Sequence, residues 1–433
     1  MEIDSRCLSK EDLKKITALK VVLKNDYGPP RSYKIYKLSS DGIYSVPLLW
    51  GLKELSYTPP VSFKSYKTDI RDSVVKPRDS QTKCISACEA EMKKEFGGGI
   101  INLTTGSGKT MISIYLLAKY KYKTLIIVNT VELMDQWKKA LIDNIPGVKI
   151  GIIRGDTFEC EGYHVVIGMI QTISMRKEYT LDKFKFGMVF IDECHHLSSE
   201  VFSEAMFKTR CRYVFGLSAT VKRQDGLEYV FKWHIGDVLH SNISSDKKQQ
   251  TIFKKIDYLG KSSKEILMYN SKPNISAMVT AIAEDNIRTK LICDTLKELD
   301  EKRNVLVLSD RVFLLECIHK ILGNENSGLF IGSVSAENRL ASKQKRILLA
   351  TYQIASEGFN HPKLNTLLFA TPRSSVSQSI GRIYRINHTD ISPMIIDIVD
   401  SFSVFIGQYK KRKKIYAKEI SSKAVSQEEC LFD

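Results

Sequence analysis

The stretch "GGGIINLTTGSGKT", residues 97–110, joins an apolar segment to a glycine-rich turn that ends in lysine and threonine. The pattern is that of a nucleotide loop after a buried strand, although the strict form G-x-x-x-x-G-K-[ST] would have glycine where Leu103 stands. Glycines let backbone N–H groups close around phosphate oxygens, lysine adds a positive charge, and threonine offers a hydroxyl to Mg²⁺. A glycine-rich turn that carries a lysine by chance is the alternative, so the interpretation depends on the rest of the chain.

The residues that follow the turn agree with a phosphate site. The segment "MISIYLLAKY", residues 111–120, predicts a helix whose positive amino end would face bound phosphates. Lys109 is expected to compensate phosphate charge, and Thr110 to reach Mg²⁺ through its hydroxyl. The predicted phosphate site consists of Leu103, Thr104, Thr105, Gly106, Ser107, Gly108, Lys109 and Thr110.

Apolar runs alternate with helix-like stretches along most of the chain. Runs such as "TLIIVN" and "GMVFID" hold Val, Ile and Phe without polar alternation, which is typical of strands buried on both faces of a parallel sheet. Five such runs fall between residues 76 and 240 and five more between 304 and 399. Two α/β domains of the same architecture are therefore expected.

The segments outside these two series differ in composition. Residues 241–285 are polar and poorly periodic, and they predict a connector with helical content towards its end. Near the N-terminus, two strands are expected around a Ser-Asp-Gly turn, which indicates a small separate module. The expected division is 1–75, 76–240, 241–285, 286–400 and 401–433, of which the last is a basic helical tail.

Composition limits the class of protein. The 433 residues are 43% hydrophobic and 26% charged, as in an ordinary globular protein, and no apolar run approaches the roughly 20 residues of a membrane span. The start of the chain lacks the order of a secretory signal, and nine cysteines without a framework favour a reducing intracellular compartment, nuclear or cytoplasmic. The net charge of +16 favours a polyanionic partner, nucleic acid first. The run "KKRKK", residues 410–414, is a phosphate-contacting patch, a nuclear address or a solvated helix face.

The segment "MVFIDECHHL", residues 188–197, supplies adjacent carboxylates at the end of an apolar run. Asp192 is placed to hold Mg²⁺, and Glu193 to orient and deprotonate an attacking water. A surface acidic pair after a strand is the alternative. A metal site built from residues 194–196 is disfavoured, because consecutive residues rarely converge on one ion.

Further hydroxyl and amide side chains accompany the phosphate loop and the acidic pair. Ser218 and Thr220, in "GLSAT", are able to hydrogen-bond His195 and so report the state of the site. Upstream, "KPRDSQ", residues 76–81, ends in Gln81, whose amide can pair with both the donor and the acceptor edge of adenine.

In the second series, "QSIGRIYR" places Gln378, Arg382 and Arg385 at i, i+4 and i+7, which is one face of a helix. The two arginines form either a solvated stripe or arginine fingers that reach the γ-phosphate of a nucleotide. Fingers of this kind act only when the two domains close, which would couple hydrolysis to motion.

Taken in order, these segments resemble the motifs of superfamily 2 helicases: Gln81, "TTGSGKT", "VNTVELMDQW", "IGMIQT", "DECH", "SAT", "ATYQIASEGFN" and "QSIGRIYR". The resemblance covers about residues 76–400, and that family fixes only the later G-x-G-K-T of the loop, so Leu103 is no anomaly. The segments "SATVKRQDGL" and "FKWHIGDVLH" look most like the branch of XPB-type and phage DNA helicases. The chain looks closest to the transcript-release DNA helicases of poxviruses and other large DNA viruses.

The resemblance implies two tandem RecA-like parallel-sheet domains with a small N-terminal module and a helical tail. It also implies ATP and Mg²⁺ as cofactors, nucleic acid as partner with DNA favoured over RNA, and the transcription machinery as a further partner. Contacts with ATP are implied for Arg78, Gln81 and Gly358. Contacts with the nucleic-acid strand are implied for Asn129, Thr130, Gln171 and Thr351. Two positions depart from the family pattern, since Asn360 stands where aspartate is usual and Met169 where threonine often meets the strand.

These residues lead to three functional hypotheses. The first is an ATP-driven motor that moves on or unwinds DNA. The second acts on RNA, or remodels protein–DNA complexes without separating strands. The third, a non-catalytic nucleic-acid-binding factor, is disfavoured because Lys109, Glu193, Arg382 and Arg385 are all present.

Overall fold

The structure is a computed structural model of the 433-residue chain. It describes all residues except 24–30, 56–66, 104–106, 177–180, 194–198, 210, 219–225, 243–249, 357–360, 362, 385–387, 389, 420–424 and 433. The chain divides into two compact units, Met1–Ile243 and Ser244–Asp433. Within the described residues, no helix is both long and apolar enough to cross a membrane.

The first unit is built on an eight-stranded sheet in the order β13-β6-β12-β11-β7-β10-β8-β9. All neighbours pair in parallel except β8 and β9, which form an antiparallel pair. The five runs predicted as strands are confirmed as β6, β7, β10, β11 and β12. The strands are β6 (Gly97–Leu103), β7 (Thr124–Val128), β8 (Ile150–Arg154), β9 (Thr157–Phe158), β10 (Val165–Met169), β11 (Met188–Asp192), β12 (Tyr213–Ser218) and β13 (Val238–Asn242).

Helices cover both faces of this sheet, which explains why its strands lack polar alternation. They are α3 (Asp79–Met92), α4 (Lys109–Tyr120), α5 (Val131–Asn144), α6 (Ile170–Met175), α7 (Ser199–Phe207) and α8 (Glu228–Ile235). Successive side chains of a strand enter opposite cores: Phe190 packs with residues of α3, α4 and α5, whereas Val189 and Ile191 pack with residues of α6, α7 and α8.

The N-terminal segment packs against the first sheet's helices instead of forming a separate module. The predicted hairpin is present, with Gly42 at φ +77° in its turn. Its core residues, including Ile3 and Val46, pack against Leu227 and Val230 next to and within α8. The apolar outer face of α8 therefore has a partner from the same chain. The elements of this segment are β1 (Glu2–Asp4), α1 (Lys10–Thr17), β2 (Lys20–Leu23), β3 (Arg31–Lys34), β4 (Lys37–Leu38), β5 (Ile43–Ser45) and α2 (Leu48–Glu54).

The buried His234 of α8 predicts a loss of stability in mild acid. Its Nε2 atom lies 3.2 Å from Ser203 Oγ, and burial lowers the pKa of His234 from 6.5 to about 3. The unfolded chain takes up this proton near pH 6.5 and the folded chain does not, so this contribution to stability falls as the pH drops below 6.5. We expect a loss of about 2 kcal/mol at pH 5 from this group.

Urea unfolding at pH 7 and pH 5 measures this effect against a His234→Gln variant, which keeps a polar partner for Ser203. The variant should lose less stability between the two pH values than the wild type. His240→Gln, on the edge strand β13, is the matched control and should behave as the wild type does. Equal pH dependence in the His234→Gln variant and the wild type would contradict the prediction.

The second unit is a seven-stranded, all-parallel sheet in the order β16-β17-β15-β18-β19-β14-β20. The five predicted runs are confirmed as β15 to β19. The strands are β14 (Ile252–Leu259), β15 (Val305–Ser309), β16 (Ser327–Phe330), β17 (Ile347–Thr351), β18 (Thr366–Phe369), β19 (Met394–Asp400) and β20 (Val425–Phe432). The helices are α9 (Ile275–Ala283), α10 (Asn286–Lys297), α11 (Val312–Asn326), α12 (Ala336–Ser342), α13 (Tyr352–Ser356), α14 (Ser377–Ile380) and α15 (Ser403–Glu419). Two parallel α/β units of this kind are the tandem RecA-like architecture.

Two strands differ from the expected organisation. Residues 241–285 were expected to be a connector, yet β14 lies there and pairs with β19 along seven residues. Its sequence, IFKKIDYL, is only partly buried, so it lacks the continuous apolar run of the central strands. Similarly, the tail is not wholly helical, because β20 follows α15 and pairs with β14.

Candidate active site

The predicted site residues of the first unit lie at one edge of its sheet. Strands β6, β7, β10, β11 and β12 are parallel, so their carboxyl ends meet at the same edge, and α4 begins there. Ligands of open parallel sheets bind outside this edge.

The amino end of α4 has the backbone that a phosphate loop requires. Gly108 is the N-cap residue with φ +85°, and a Cβ atom there would lie 2.4 Å from Gln81 Nε2. The positive φ therefore favours glycine, and a larger residue would also displace the Gln81 amide from its contact with this loop. The ammonium of Lys109 donates a hydrogen bond to the Leu103 carbonyl at 2.9 Å, so it lies over the end of β6. Thr110 is half-buried in the first turn of α4, and residues 104–106 lie outside the described part of the chain.

Gln81 links α3 to this loop. Its side-chain oxygen accepts a hydrogen bond from the Arg78 backbone N–H, and its Nε2 donates to the Ser107 carbonyl, both at 2.9 Å. The first contact caps α3, and the second fixes the residue before Gly108. The contacts account for the burial of the amide, while adenine recognition by Gln81 stays a prediction.

The acidic pair lies two strands away from β6. Asp192 is the last residue of β11; its Oδ2 accepts from Trp137 Nε1 at 2.8 Å and its Oδ1 from the Glu193 backbone N–H at 3.0 Å. Burial and the adjacent Glu193 carboxylate raise the pKa of Asp192 to about 6, whereas the Trp137 N–H and the Lys109 ammonium oppose this rise. Lys109 and Asp192 thus share one electrostatic site.

Glu193 has an unusual backbone. Its φ is +47°, in the left-handed region that residues other than glycine rarely adopt. Such strain is common where a side chain must be held for a function. This conformation changes the direction of the chain directly after β11 ends.

The oxygen donors at this edge suit a hard cation that is shared with phosphates. Among the residues that the structure describes, no three His, Cys, Asp or Glu side chains form a metal cluster. Mg²⁺ is usually held by one or two carboxylates together with substrate phosphates, and Asp192 with the Thr110 hydroxyl fits that requirement. The alternative metal residues 194–196, and with them His195, lie outside the described residues.

Strand β12 lies between β6 and β11, and its last residue is Ser218, which is buried and pairs in register with Asn102 of β6. Ser218 is therefore placed between the two halves of the site. Thr220, which was expected to act with it, lies outside the described residues.

Three of the four residues expected to contact nucleic acid lie together after the ends of β7 and β10. Gln171 Nε2 donates to the Asn129 carbonyl at 3.1 Å. Thr130 is the N-cap of α5, where its hydroxyl accepts from the Leu133 N–H at 3.3 Å. The fourth, Thr351, ends β17 in the second unit and accepts a 3.4 Å hydrogen bond from the Ile354 N–H.

The prediction that Gln378, Arg382 and Arg385 share one face of an α-helix is wrong. Gln378 lies in the four-residue helix α14, but residues Gly381–Tyr384 continue as a 3₁₀ helix, so the i, i+4, i+7 face does not extend along the segment. The three-residue period places Ile380 and Ile383 together in the core of the second unit. Arg382 is buried, and Arg385 and Gly358 lie outside the described residues.

The basic run 410–414 is also not a uniform patch. Lys410, Lys411, Lys413 and Lys414 are exposed on α15. Arg412 is buried and makes two hydrogen bonds to the Asp397 carboxylate, at 2.9 and 3.1 Å. Arg412 is therefore part of the packing of α15 and not of the exposed surface.

Trp137 is the site residue whose role the sequence did not indicate. In the sequence, Leu133, Trp137 and Leu141 recur every four residues, which places the indole on the apolar face of α5, and it is buried there. Its hydrogen bond to Asp192 joins residues 55 positions apart. The one available signal was that a buried indole N–H requires an acceptor.

A parallel sheet with a lysine at the start of the helix after one strand, and a buried aspartate at the end of a strand two positions away, is the arrangement of a P-loop nucleoside triphosphatase. Residues 74–223 match the family described as "Type III restriction enzyme, res subunit". A mimivirus protein named "Putative ATP-dependent RNA helicase" is 31% identical over 91% of this chain and 75% of its own length. A protein of Invertebrate iridescent virus 6 named "Putative helicase 161L" is 27% identical over 96% of both chains. The chain belongs to the ATP-dependent helicases, with relatives in large DNA viruses, and is an ATP-hydrolysing enzyme.

Further comparisons reach other viruses. A protein of African swine fever virus, also named as an RNA helicase, is 25% identical over 78% of this chain and 72% of its own. The crystal structure of T4 UvsW is 20% identical, with a TM-score of 0.38 over 98% of this chain and 97% of that one.

Proposed function

We propose that the chain is a DNA-dependent helicase or translocase that hydrolyses ATP to ADP and phosphate in order to move along or unwind DNA. The observation that carries the proposal is the shared edge of the first sheet. There the Lys109 ammonium lies over the end of β6 and opposes the rise that burial causes in the pKa of Asp192, at the end of β11. The net charge of +16 supports a polyanionic partner.

In this proposal each side chain at the edge has one task. Backbone N–H groups of the loop at 103–110 and the Lys109 ammonium bind the β- and γ-phosphates. Asp192 and Thr110 hold Mg²⁺, which supplies positive charge to the phosphate oxygens when it is bound. Glu193 orients a water and takes its proton as the water oxygen attacks the γ-phosphorus and the bond to the ADP oxygen breaks.

The remaining predicted residues receive roles by the family resemblance. Arg78, Gln81 and Gly358 contact the nucleotide, and Gln378, Arg382 and Arg385 assist hydrolysis. His195, Ser218 and Thr220 couple hydrolysis to movement. Asn129, Thr130, Gln171 and Thr351 contact the strand, and the position of the first three at adjacent strand ends supports this assignment.

An RNA helicase is the second candidate, because two of the relatives carry RNA helicase in their names. A role in viral transcription, such as release of the transcript, is proposed on the resemblance and on the viral source of these relatives. The deciding experiment measures ATP hydrolysis with single-stranded DNA, duplex DNA or RNA as stimulator. We expect DNA to stimulate; stimulation by RNA but by no DNA would favour the second candidate.

Arg382→Ala is expected to slow ATP hydrolysis by about 10³-fold or more while nucleotide affinity changes little, as for an arginine that stabilises transition-state charge. Single-turnover hydrolysis and equilibrium binding of a fluorescent ATP analogue separate the two effects. Arg382→Lys keeps a charge but not the planar fork, and it should remain impaired. Because Arg382 is buried, thermal unfolding is measured for both variants; a wild-type rate in the folded Ala variant would exclude the role.

The exposed lysines of α15 are proposed as an auxiliary contact for the nucleic-acid backbone. Changing Lys410, Lys411, Lys413 and Lys414 to Gln should weaken binding of a labelled single strand. It should also flatten the plot of log affinity against log salt by about 0.7 for each phosphate that the variant no longer neutralises. Arg412 is retained, because removing it would leave the buried Asp397 carboxylate without its ion pair.

A matched control changes four exposed lysines elsewhere in the second unit, Lys264, Lys272, Lys290 and Lys297, to Gln. The net charge of the two variants is then the same. If both sets flatten the salt slope equally, the effect comes from net charge and the α15 patch is not a contact site.

A further inference from the structure

Trp137 and Asp192 form a buried pair in which the indole holds the carboxylate in place by a hydrogen bond. The indole is 1% exposed and the carboxylate 7%. An indole N–H can only donate, and here it donates to Oδ2 at 2.8 Å, while the Glu193 backbone N–H donates to Oδ1. With one donor on each oxygen, the plane of the carboxylate is fixed, and each oxygen keeps a lone pair for a further partner.

The same helix begins at the candidate nucleic-acid contacts. Thr130 caps α5, and the carbonyl of the preceding Asn129 accepts the hydrogen bond from Gln171. Trp137 follows Thr130 by seven residues, about two helical turns or roughly 10 Å along the axis. Leu133, Trp137 and Leu141 all lie in the core against the sheet, so α5 is held along its length.

A helix held in this way transmits a displacement of its first turn to its second and third turns. A small shift of the Thr130 end would change the Trp137 to Asp192 hydrogen bond, because buried hydrogen bonds weaken steeply with distance and angle. The pair therefore joins two sites that the proposed function requires to communicate.

We propose that Trp137 is the positioning residue of the metal-binding carboxylate, and that α5 links this carboxylate to the nucleic-acid contacts at Asn129, Thr130 and Gln171. The inference rests on the proposed function for the identity of the two ligands. It adds a residue and an element that carry the coupling between them.

The first test replaces Trp137 with Phe, which keeps an aromatic ring in the core but removes the N–H. Loss of a hydrogen bond to a charged group should raise the Mg²⁺ concentration for half-maximal ATPase by about tenfold or more. ATP-analogue binding in EDTA should stay within about twofold of wild type, because no metal is then involved. Trp233→Phe, half-buried in the contact with the N-terminal segment, is the matched control and should leave the Mg²⁺ requirement unchanged.

The second test examines the link along α5. Trp137→Phe, Gln171→Ala and the double variant are compared for the fold-stimulation of ATPase by single-stranded DNA. The double variant should deviate from the product of the single effects by about threefold or more, since residues of one coupled network are not additive. Independent, additive effects would overturn the link, and an unchanged Mg²⁺ requirement in Trp137→Phe would overturn the positioning role.

A spectroscopic test keeps Trp137 intact and does not need turnover. The chain has three tryptophans, so Trp50→Phe with Trp233→Phe leaves Trp137 as the sole indole. Addition of Mg²⁺ with a non-hydrolysable ATP analogue, and separately of a single strand, should each shift or quench its emission. Unchanged emission, with binding verified by fluorescence anisotropy of labelled ligands, would overturn the inference. An absent wild-type ATPase would contradict the proposed function alone, because this emission reports the pair without hydrolysis.

Discussion

Lys109→Ala is expected to abolish ATP turnover, with a fall of at least about 10²–10³-fold in kcat, the size found when one preorganised group is removed from developing charge. The ammonium lies over the end of β6, where it donates to the Leu103 carbonyl and stands outside the apolar core. Its removal also takes away a positive charge that limits the rise in the pKa of the buried Asp192. Steady-state release of phosphate measures the loss, and thermal unfolding should show a nearly unchanged Tm.

The matched control for this variant is Lys119→Ala on the same helix α4. Lys119 is exposed, pairs with Glu89 and follows Lys109 by ten residues, so its loss should leave kcat within about twofold. Turnover near the wild-type rate in Lys109→Ala would show that the loop at 103–110 does not bind the phosphates of ATP.

The sequence was sufficient to predict the central strands and the sheet edge at which the candidate site residues lie. β7 and β11 are continuous apolar runs because both of their faces are covered, and each run is followed at once by polar residues such as Asn129 and Glu193. Since parallel strands end at one edge, the motif order alone placed these residues near one another.

Strands with fewer apolar residues could not be predicted from apolar runs. β14 carries Lys254, Lys255 and Asp257, and it is recognised as a strand only through its register with β19. Arg412 lies in a run of lysines, and only the position of Asp397 on β19 distinguishes it from them. In both cases the information lies in a partner more than ten residues away, which local periodicity does not contain.

The Trp137 to Asp192 pair shows the same limit at the site itself. Periodicity placed the indole on the buried face of α5, which is correct, but the acceptor for its N–H lies on β11. A sequence pattern gives the side of a helix, whereas the polar partner of a buried group depends on which strand that side covers. Sequence reasoning therefore reached the candidate residues that stand next to one another in the chain, but not the buried partner that supports them.

Glu193→Gln is expected to trap ATP. The amide has the same shape as the carboxylate but cannot take a proton from water, so hydrolysis should fall about 10²-fold or more. Nucleotide binding should not weaken: Glu193 raises the pKa of Asp192, and a neutral side chain removes that repulsion and favours the ionised, metal-binding form. Single-turnover hydrolysis gives the rate, and equilibrium binding of Mg²⁺ with ATP gives the affinity, which we expect within a few-fold of wild type or tighter.

Two comparisons make this result specific to the proton acceptor. Glu161→Gln removes the same charge from an exposed position and should hydrolyse ATP as the wild type does. Glu193→Asp shortens the side chain but keeps a carboxylate base, so it should retain more activity than the amide variant. The backbone at φ +47° is equally unfavourable for Glu and Gln and is tolerated better by Asp. A fall in binding common to both Glu193 variants would therefore mean that the side chain supports the turn after β11 instead of the chemistry. Retained binding with lost hydrolysis in the amide variant alone identifies Glu193 as the general base, because no other change distinguishes it from the wild type.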